Sequence, residues 1–280
     1  MSQAGPAGQL SLPLARHAGL MGIRDALHAE WTKLRTVTGP AWLLIATVAA
    51  TVAISAATTA AVRCPSGIAC PVDTAKLSLT GIQFGQAVVA VLGVLVISGE
   101  YSTGMIRTTL TAMPRRIGVL AAKAAVLTGL VLAAGTIAAG GSLLAGRLIL
   151  PGHGFTEAHG FPLLSLGDGP VLRAAAGSVL YLGLIALLSL GIATAVREPA
   201  AAIGLILGLL YLFPIVAPLL DQHWQRHLEQ IGPTTAGLAI QATTGLHSLP
   251  ISPWAGLGVL AAWAAAALLA GGLLLRLRDA

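Results

Sequence analysis

Long uncharged apolar runs alternate with short polar segments along most of the chain. Five of these runs hold 22 or 23 residues without Lys, Arg, Asp or Glu, and a longer one follows near the C-terminus. A helix needs about 20 mainly apolar residues to cross a hydrocarbon core of roughly 30 Å. The pattern therefore predicts an all-α polytopic integral membrane protein with six transmembrane helices. The predicted spans are residues 40–62, 77–99, 118–146, 174–196, 199–220 and 254–275.

The last uncharged run, residues 230–275, is too long for one crossing and is cut by Pro250 and Pro253. We assign residues 254–275 to the sixth span. Residues 233–246 are predicted to form a short re-entrant helix that enters the outer leaflet and returns. The alternative is that this segment crosses the bilayer as a seventh span.

The segment before the first span divides into two parts. Residues 1–19 are rich in Gly, Pro and Ala and are expected to be a disordered cytoplasmic tail. Residues 20–36 predict an amphipathic helix that lies in the membrane interface, with Trp31 at headgroup depth and Lys33 and Arg35 on the polar face. The apolar face combines residues at spacings of four, four and three: Ile23, Leu27, Trp31 and Leu34. A solvated helix that binds a cytosolic partner is the alternative.

Composition and charge support a membrane location. The chain is 56% hydrophobic and only 9% charged, which excludes a water-soluble globule. The net charge of +6 comes from basic residues scattered between the apolar runs, so no nucleic-acid surface is expected. Placing the N-terminus inside puts 11 Lys and Arg residues on the inner side and five on the outer side. This asymmetry predicts cytoplasmic termini, and the late start of the first run argues against a cleaved signal peptide.

The two cysteines lie six residues apart in the predicted first outer loop, within the sequence CPSGIAC. Outside the cytoplasm such a pair can close a small disulfide, so we expect a Cys64–Cys70 bond. The oxidation state is left open, because the reverse orientation would place both thiols in a reducing compartment.

No catalytic motif is present: the chain lacks a phosphate loop, an H-E-x-x-H helix and a nucleophile elbow. We therefore expect neither an enzyme nor a cofactor in this chain. His223 and His227 would share a helix face, but two histidines make a poor metal site, so they are interpreted as interface residues and no metal is expected. An ion-driven carrier is disfavoured, because the middles of the spans contain no charged residue.

Two pairs of glycines, Gly81/Gly85 and Gly204/Gly208, have the small-xxx-small spacing that lets helices approach closely. They indicate either packing within one subunit or a contact between two copies.

The loop between the second and third spans, SGEYSTGMIRTTLTAMPRR at residues 98–116, is the most specific segment. Residues 101–112 have helix-forming character, and Pro114 ends the pattern. The loop is interpreted either as a positively charged connection that fixes topology or as a short helix that a soluble motor protein pushes.

With AEWTKLRTV before the first span and ISGEYSTGMIRTTLTAMPRRIGVLAAK after the second, the chain resembles the permease subunits of type-2 ABC exporters, especially actinobacterial ones. The resemblance extends from Leu27 to the C-terminus. It implies that residues 20–280 form one permease domain in the bacterial cytoplasmic membrane, in contact with membrane lipid. It also implies a homodimer or a heterodimer with a related permease, driven by separate ATPase subunits that bind the ATP and Mg²⁺.

The resemblance places the ATPase-coupling region in the loop, at Glu100, Tyr101, Ser102, Thr103, Gly104 and Arg107. The expected cargo is a small amphipathic or hydrophobic compound, and export follows from the resemblance alone. An ion-coupled secondary carrier, a channel and a structural subunit of a membrane complex remain as alternatives.

Overall fold

The computed structural model describes Thr32 and residues 38–64, 70, 72–102, 116–156, 161 and 164–277. This part of the chain is 85% helical and contains no strand, and six of its helices are long and apolar enough to cross a membrane. The expectation of an all-α polytopic membrane protein is confirmed. The predicted tail and, apart from Thr32, the predicted interfacial helix lie outside the described residues.

Nine α-helices follow one another in the described residues, and six of them (α1, α3, α4, α5, α6 and α9) are the candidate spans. They are α1 (Thr38–Ala61), α2 (Thr74–Ser78), α3 (Ile82–Ser102), α4 (Arg116–Ile149), α5 (Gly169–Val196), α6 (Pro199–Val216), α7 (Gln222–Ile231), α8 (Pro233–Gly237) and α9 (Pro253–Leu277). Short 3₁₀ turns cover Leu150–His153, Ala217–Leu219, Leu238–Gln241 and Leu246–Ser248.

The helix ends differ from the hydropathy boundaries where caps and packing decide them. The second long helix starts at Ile82 rather than near residue 77, because Asp73 caps the separate short helix α2 and a turn follows it. Helix α4 has 34 residues and rises about 51 Å, well beyond a hydrocarbon core. The helix therefore includes both basic residues that flank its uncharged run, Lys123 and Arg147.

The six long helices alternate in direction and define two ends of the molecule. One end carries the linked residues Cys64 and Cys70 together with the last residues of α1, α4 and α6, and we call it the disulfide end. The opposite end carries the last residues of α3, α5 and α9. The first residues of α4 follow those of α3 in the chain and lie at the opposite end as well.

Helix α5 is the central helix and packs against α3, α4, α6 and α9. Small residues make this close packing possible. A Cβ added at Gly191 would lie 2.5 Å from the carbonyl carbon of Ala267 on α9, and one added at Gly93 of α3 would lie 2.8 Å from Cβ of Ser189. Without a hydrophobic force between helices in lipid, such close contacts supply much of the association energy.

The segment between α6 and α9, residues 221–252, forms a cap at the disulfide end. It enters between α5 and α9, where Gly237 packs on the Tyr181 ring, and then returns toward the end of the molecule. Tyr181 lies 12 residues into α5, so the cap reaches about 18 Å along that helix. Residues 233–246 are not among the six candidate spans, and their path matches a re-entrant segment rather than a seventh crossing.

Candidate functional site

The predicted coupling segment begins inside a span helix. Glu100, Tyr101 and Ser102 form the last turn of α3, with no break between them and the membrane-spanning residues. The remaining predicted coupling residues, Thr103, Gly104 and Arg107, lie outside the described residues, and so do Trp31, Lys33 and Arg35. The described part of the segment is therefore a helical continuation of α3.

A tight turn joins α5 to α6 at the same end. Arg197 ends α5 with a left-handed backbone, at φ 65°. The Glu198 side chain then accepts hydrogen bonds from the amides of Ala200 and Ala201, with Pro199 in the first turn of α6. A capping carboxylate and a proline both favour a helix start here, so the turn between these two spans is well defined.

Lys123 introduces a basic group into the packed part of α4. Its side chain is only 2% exposed and is among the largest fully buried side chains of the protein. It lies seven residues, or about 10 Å, from the start of α4. This buried side chain thus belongs to the opposite end and not to the middle of the span.

At the disulfide end, a bond joins Cys64 and Cys70, whose Cα atoms are 6.0 Å apart. The amide of Cys64 donates to the carbonyl of His153 at 2.9 Å, and Gly154 packs against Cys64 with φ of +93°. The loop after α1 is therefore tied to the turn after α4. A side chain at Gly154 would be strained in that conformation and would also meet the Cys64 carbonyl.

Asp73 connects this loop to the cap. Its carboxylate accepts from the Lys76 amide at 3.0 Å, from the Thr243 hydroxyl at 2.7 Å, from the Thr244 amide at 3.0 Å and from the Thr243 amide. Burial raises the pKa of the Asp73 carboxyl, but these hydrogen bonds together outweigh it and hold the pKa below its usual value. We call Asp73, Thr243 and Thr244 the cap clasp.

Buried polar pairs hold the spans and the cap together deeper in the molecule than the cap clasp. The Tyr181 hydroxyl of α5 donates to Oε1 of Gln86 on α3, and both residues are fully buried. The Gln241 amide of the cap donates to Oγ of Ser178 at 3.0 Å. Because unpaired polar groups are costly away from water, these pairs fix how α3, α5 and the cap meet.

The histidine pair of α7 is exposed at the disulfide end. The rings of His223 and His227 lie 4.6 Å apart, centroid to centroid, and border a cavity of about 330 Å³ with Arg226. No group of three or more metal-ligating side chains is found within the described residues.

The two glycine pairs have different surroundings. A Cβ at either Gly81 or Gly85 would collide with Thr51 of α1, so this pair serves packing within the subunit. Gly204 and Gly208 lie on the exposed face of α6, with nothing within 4 Å of a Cβ at either position.

Several residues of this arrangement are absent from the sequence-based site prediction. Asp73 has a local signal, since an aspartate before Thr74 and Ala75 is typical of a helix N-cap. Tyr181, Gln86 and Gln241 stand out only as polar residues in apolar runs. Their partners are distant in the chain, so spacing could not identify them.

No protein-family model matches the chain, and no curated protein matches it either. The six long apolar helices of the described residues indicate a multi-pass membrane protein.

Proposed function

We propose that the chain is the membrane-spanning permease subunit of an ATP-driven ABC exporter. Separate ATPase subunits would bind at the opposite end and drive transport of a small amphipathic or hydrophobic compound. The observation that carries this proposal is the position of the EYSTGMIRTTL motif, whose first three residues form the last turn of helix α3, directly after the candidate span Ile82–Gly99. The motif is also the part of the sequence that most resembles type-2 exporter permeases.

The packing of α3 suggests how a push on the motif reaches the rest of the molecule. Helix α3 is unbroken from Ile82 to Ser102, so a displacement at Glu100 moves the whole span. Gly93 packs closely on α5, and Gln86 accepts from Tyr181. A tilt of α3 would therefore act on the central helix, which in turn contacts the cap through Ser178.

Pairing with a second permease is supported by the exposed surface of α6. This helix is among the least buried spans, and Gly204 and Gly208 form an open notch along it. Small residues at this spacing allow another helix to approach closely. Homodimers and heterodimers are both compatible with this notch.

We infer that the disulfide end faces the cell exterior and the opposite end the cytoplasm. Disulfides persist in oxidising compartments, and in the sequence the excess of Lys and Arg falls in the segments that precede α1, connect α3 to α4 and follow α5 and α9. In this orientation the α3–α4 connection faces the cytosolic ATPase.

Charge reversal in the coupling segment tests the proposal. The substitutions are Arg107→Glu and Glu100→Lys. For each variant, ATPase binding and cargo-stimulated ATP hydrolysis are measured in reconstituted membranes. We expect stimulated hydrolysis to fall about tenfold or more, because breaking a charge-assisted pair at an interface costs roughly 2 kcal/mol. Membrane insertion should not change.

Arg226→Glu is the matched control, since it reverses an exposed arginine on α7 at the disulfide end. It should leave hydrolysis unchanged. Normal hydrolysis in both coupling variants, or an isolated subunit that transports without any ATPase, would refute the assignment.

A further inference from the structure

A groove opens between α4 and α9 at the opposite end of the molecule. Its volume is about 350 Å³. Leu269 and Leu273 on its rim are 68% and 57% exposed, so the groove is open on the side where a membrane lies. The apolar lining includes Ile117, Leu120, Ala121, Leu269, Gly272 and Leu273.

The length of the groove fits one leaflet of a bilayer. It extends over the nine residues from Leu268 to Arg276 of α9, a rise of about 12 Å, and from Ile117 to Ala124 along α4. Half of a hydrocarbon core is about 15 Å thick. The groove therefore runs from the end of the spans most of the way to the bilayer centre.

A basic side chain lies where the apolar lining ends, at the surface of the molecule. Arg276 lies in the last turn of α9 and is exposed, and it borders the groove. Arg116 begins α4, one residue before Ile117. A guanidinium binds phosphate oxygens in bidentate fashion, and basic pockets between membrane helices bind anionic headgroups.

We propose that this groove is a binding site for an anionic phospholipid. One acyl chain lies along Leu120, Gly272 and Leu273, and the phosphate binds Arg276. Apolar length and a terminal positive charge are complementary to a lipid chain that ends in an anionic headgroup. The site requires only that the protein is embedded in a bilayer, so it stands independently of the proposed exporter function.

The test measures lipid retained by the purified protein, by native mass spectrometry after reconstitution with phosphatidylglycerol or phosphatidylethanolamine. We expect wild type to prefer phosphatidylglycerol by about fivefold, the effect of roughly 1 kcal/mol per basic group near a membrane surface. Arg276→Gln should abolish the preference, and Arg276→Lys should keep most of it.

Gly272→Leu tests the acyl part of the site. A Cβ at Gly272 lies 3.7 Å from Leu120 Cδ2, an ordinary contact, so the larger side chain fills the groove without a backbone clash. We expect bound lipid to fall severalfold. Gly258→Leu is the matched control, because a Cβ there meets nothing within 4 Å and the residue lies on the exposed face of the same helix.

Any one of the following results would overturn the proposal. The first two are equal retention of both lipids by wild type and an unchanged preference for phosphatidylglycerol in Arg276→Gln. The next two are an unchanged amount of bound lipid in Gly272→Leu and a loss of bound lipid in Gly258→Leu as large as that in Gly272→Leu. Displacement of the lipid by millimolar inorganic phosphate would also overturn it, since it would mark a simple anion site. A change of oligomeric state in Gly272→Leu without loss of lipid would assign the groove to a second copy instead.

Discussion

The Asp73 carboxylate accepts four hydrogen bonds at the disulfide end. Its Oδ1 caps α2 through the Lys76 amide and accepts from the Thr243 hydroxyl, while its Oδ2 accepts from two cap amides. The aspartate thus serves both a local helix start and a contact 170 residues away in the chain. The first role is readable from the sequence, but no local pattern specifies the second.

Replacing Asp73 by Asn should therefore destabilise the protein. In one orientation the side-chain amide would face the N–H groups of Thr243 and Thr244, and in the other the Lys76 N–H, donor against donor, and a charged acceptor would be lost. We expect a loss of about 1–2 kcal/mol and a Tm lower by a few degrees, measured in detergent. Asp221→Asn is the control, since Asp221 caps the exposed helix α7 with one bond of 3.3 Å and should have little effect.

The pH dependence of this difference has a fixed sign. The pKa of Asp73 is lowered in the folded protein, so its contribution is present above the ordinary value of 3.8 and is lost as the pH falls through the folded value. The stability gap between wild type and Asp73→Asn should therefore persist at pH 5–7 and close below about pH 4. A gap that stays constant in acid would contradict the assigned role of the carboxylate.

At the scale of helices, hydropathy predicts the existence of the spans much better than their ends. Charge-free runs of about 20 residues have few alternatives to crossing a bilayer, so all six candidate spans could be predicted. The start of α3 could not be predicted, because it depends on a contact with another helix. Gly81, the residue before α3, packs against Thr51 and Ser55 of α1 and donates its N–H to Ser55 Oγ. The resemblance alone predicts the coupling motif, and the helical continuity of its first three residues with α3 is a property of the fold.

Close helix contacts should respond strongly to added volume. In Gly191→Ala, the new methyl would meet the α9 backbone at Ala267 and Leu268 and push α5 and α9 apart. We expect a destabilisation of roughly 1–3 kcal/mol in thermal unfolding.

Gly258→Ala on α9 is the control for this change, because its methyl would point into open space, and it should be neutral or slightly stabilising. Equal melting temperatures for Gly191→Ala and wild type would show that the two helices can separate without loss of stability.

For the molecule as a whole, the chain alternates between two chemically different ends. The disulfide end contains the cystine, the cap clasp and the exposed histidines, whereas the opposite end carries the buried Lys123, the capped α5–α6 turn and the lipid groove. The cap packs near the start of α9 and the groove lies at its end, so the two surfaces are at different ends of the same helix. The orientation of the protein in the membrane therefore decides whether the disulfide end or the opposite end is exposed to the cytoplasm.

Labelling with a membrane-impermeant maleimide tests that orientation in intact cells. We expect His247→Cys, exposed at the disulfide end, to react directly, and Leu277→Cys, 79% exposed at the opposite end, to react only after permeabilisation. The wild-type protein is the internal control: Cys64 and Cys70 are bonded and should react only after an impermeant reductant is added. Labelling requires no ATPase, so its outcome can be obtained separately from the coupling test. Labelling of Leu277→Cys in unbroken cells would place the α3–α4 connection outside, where no cytosolic ATPase can reach it, and would refute both the orientation and the exporter proposal.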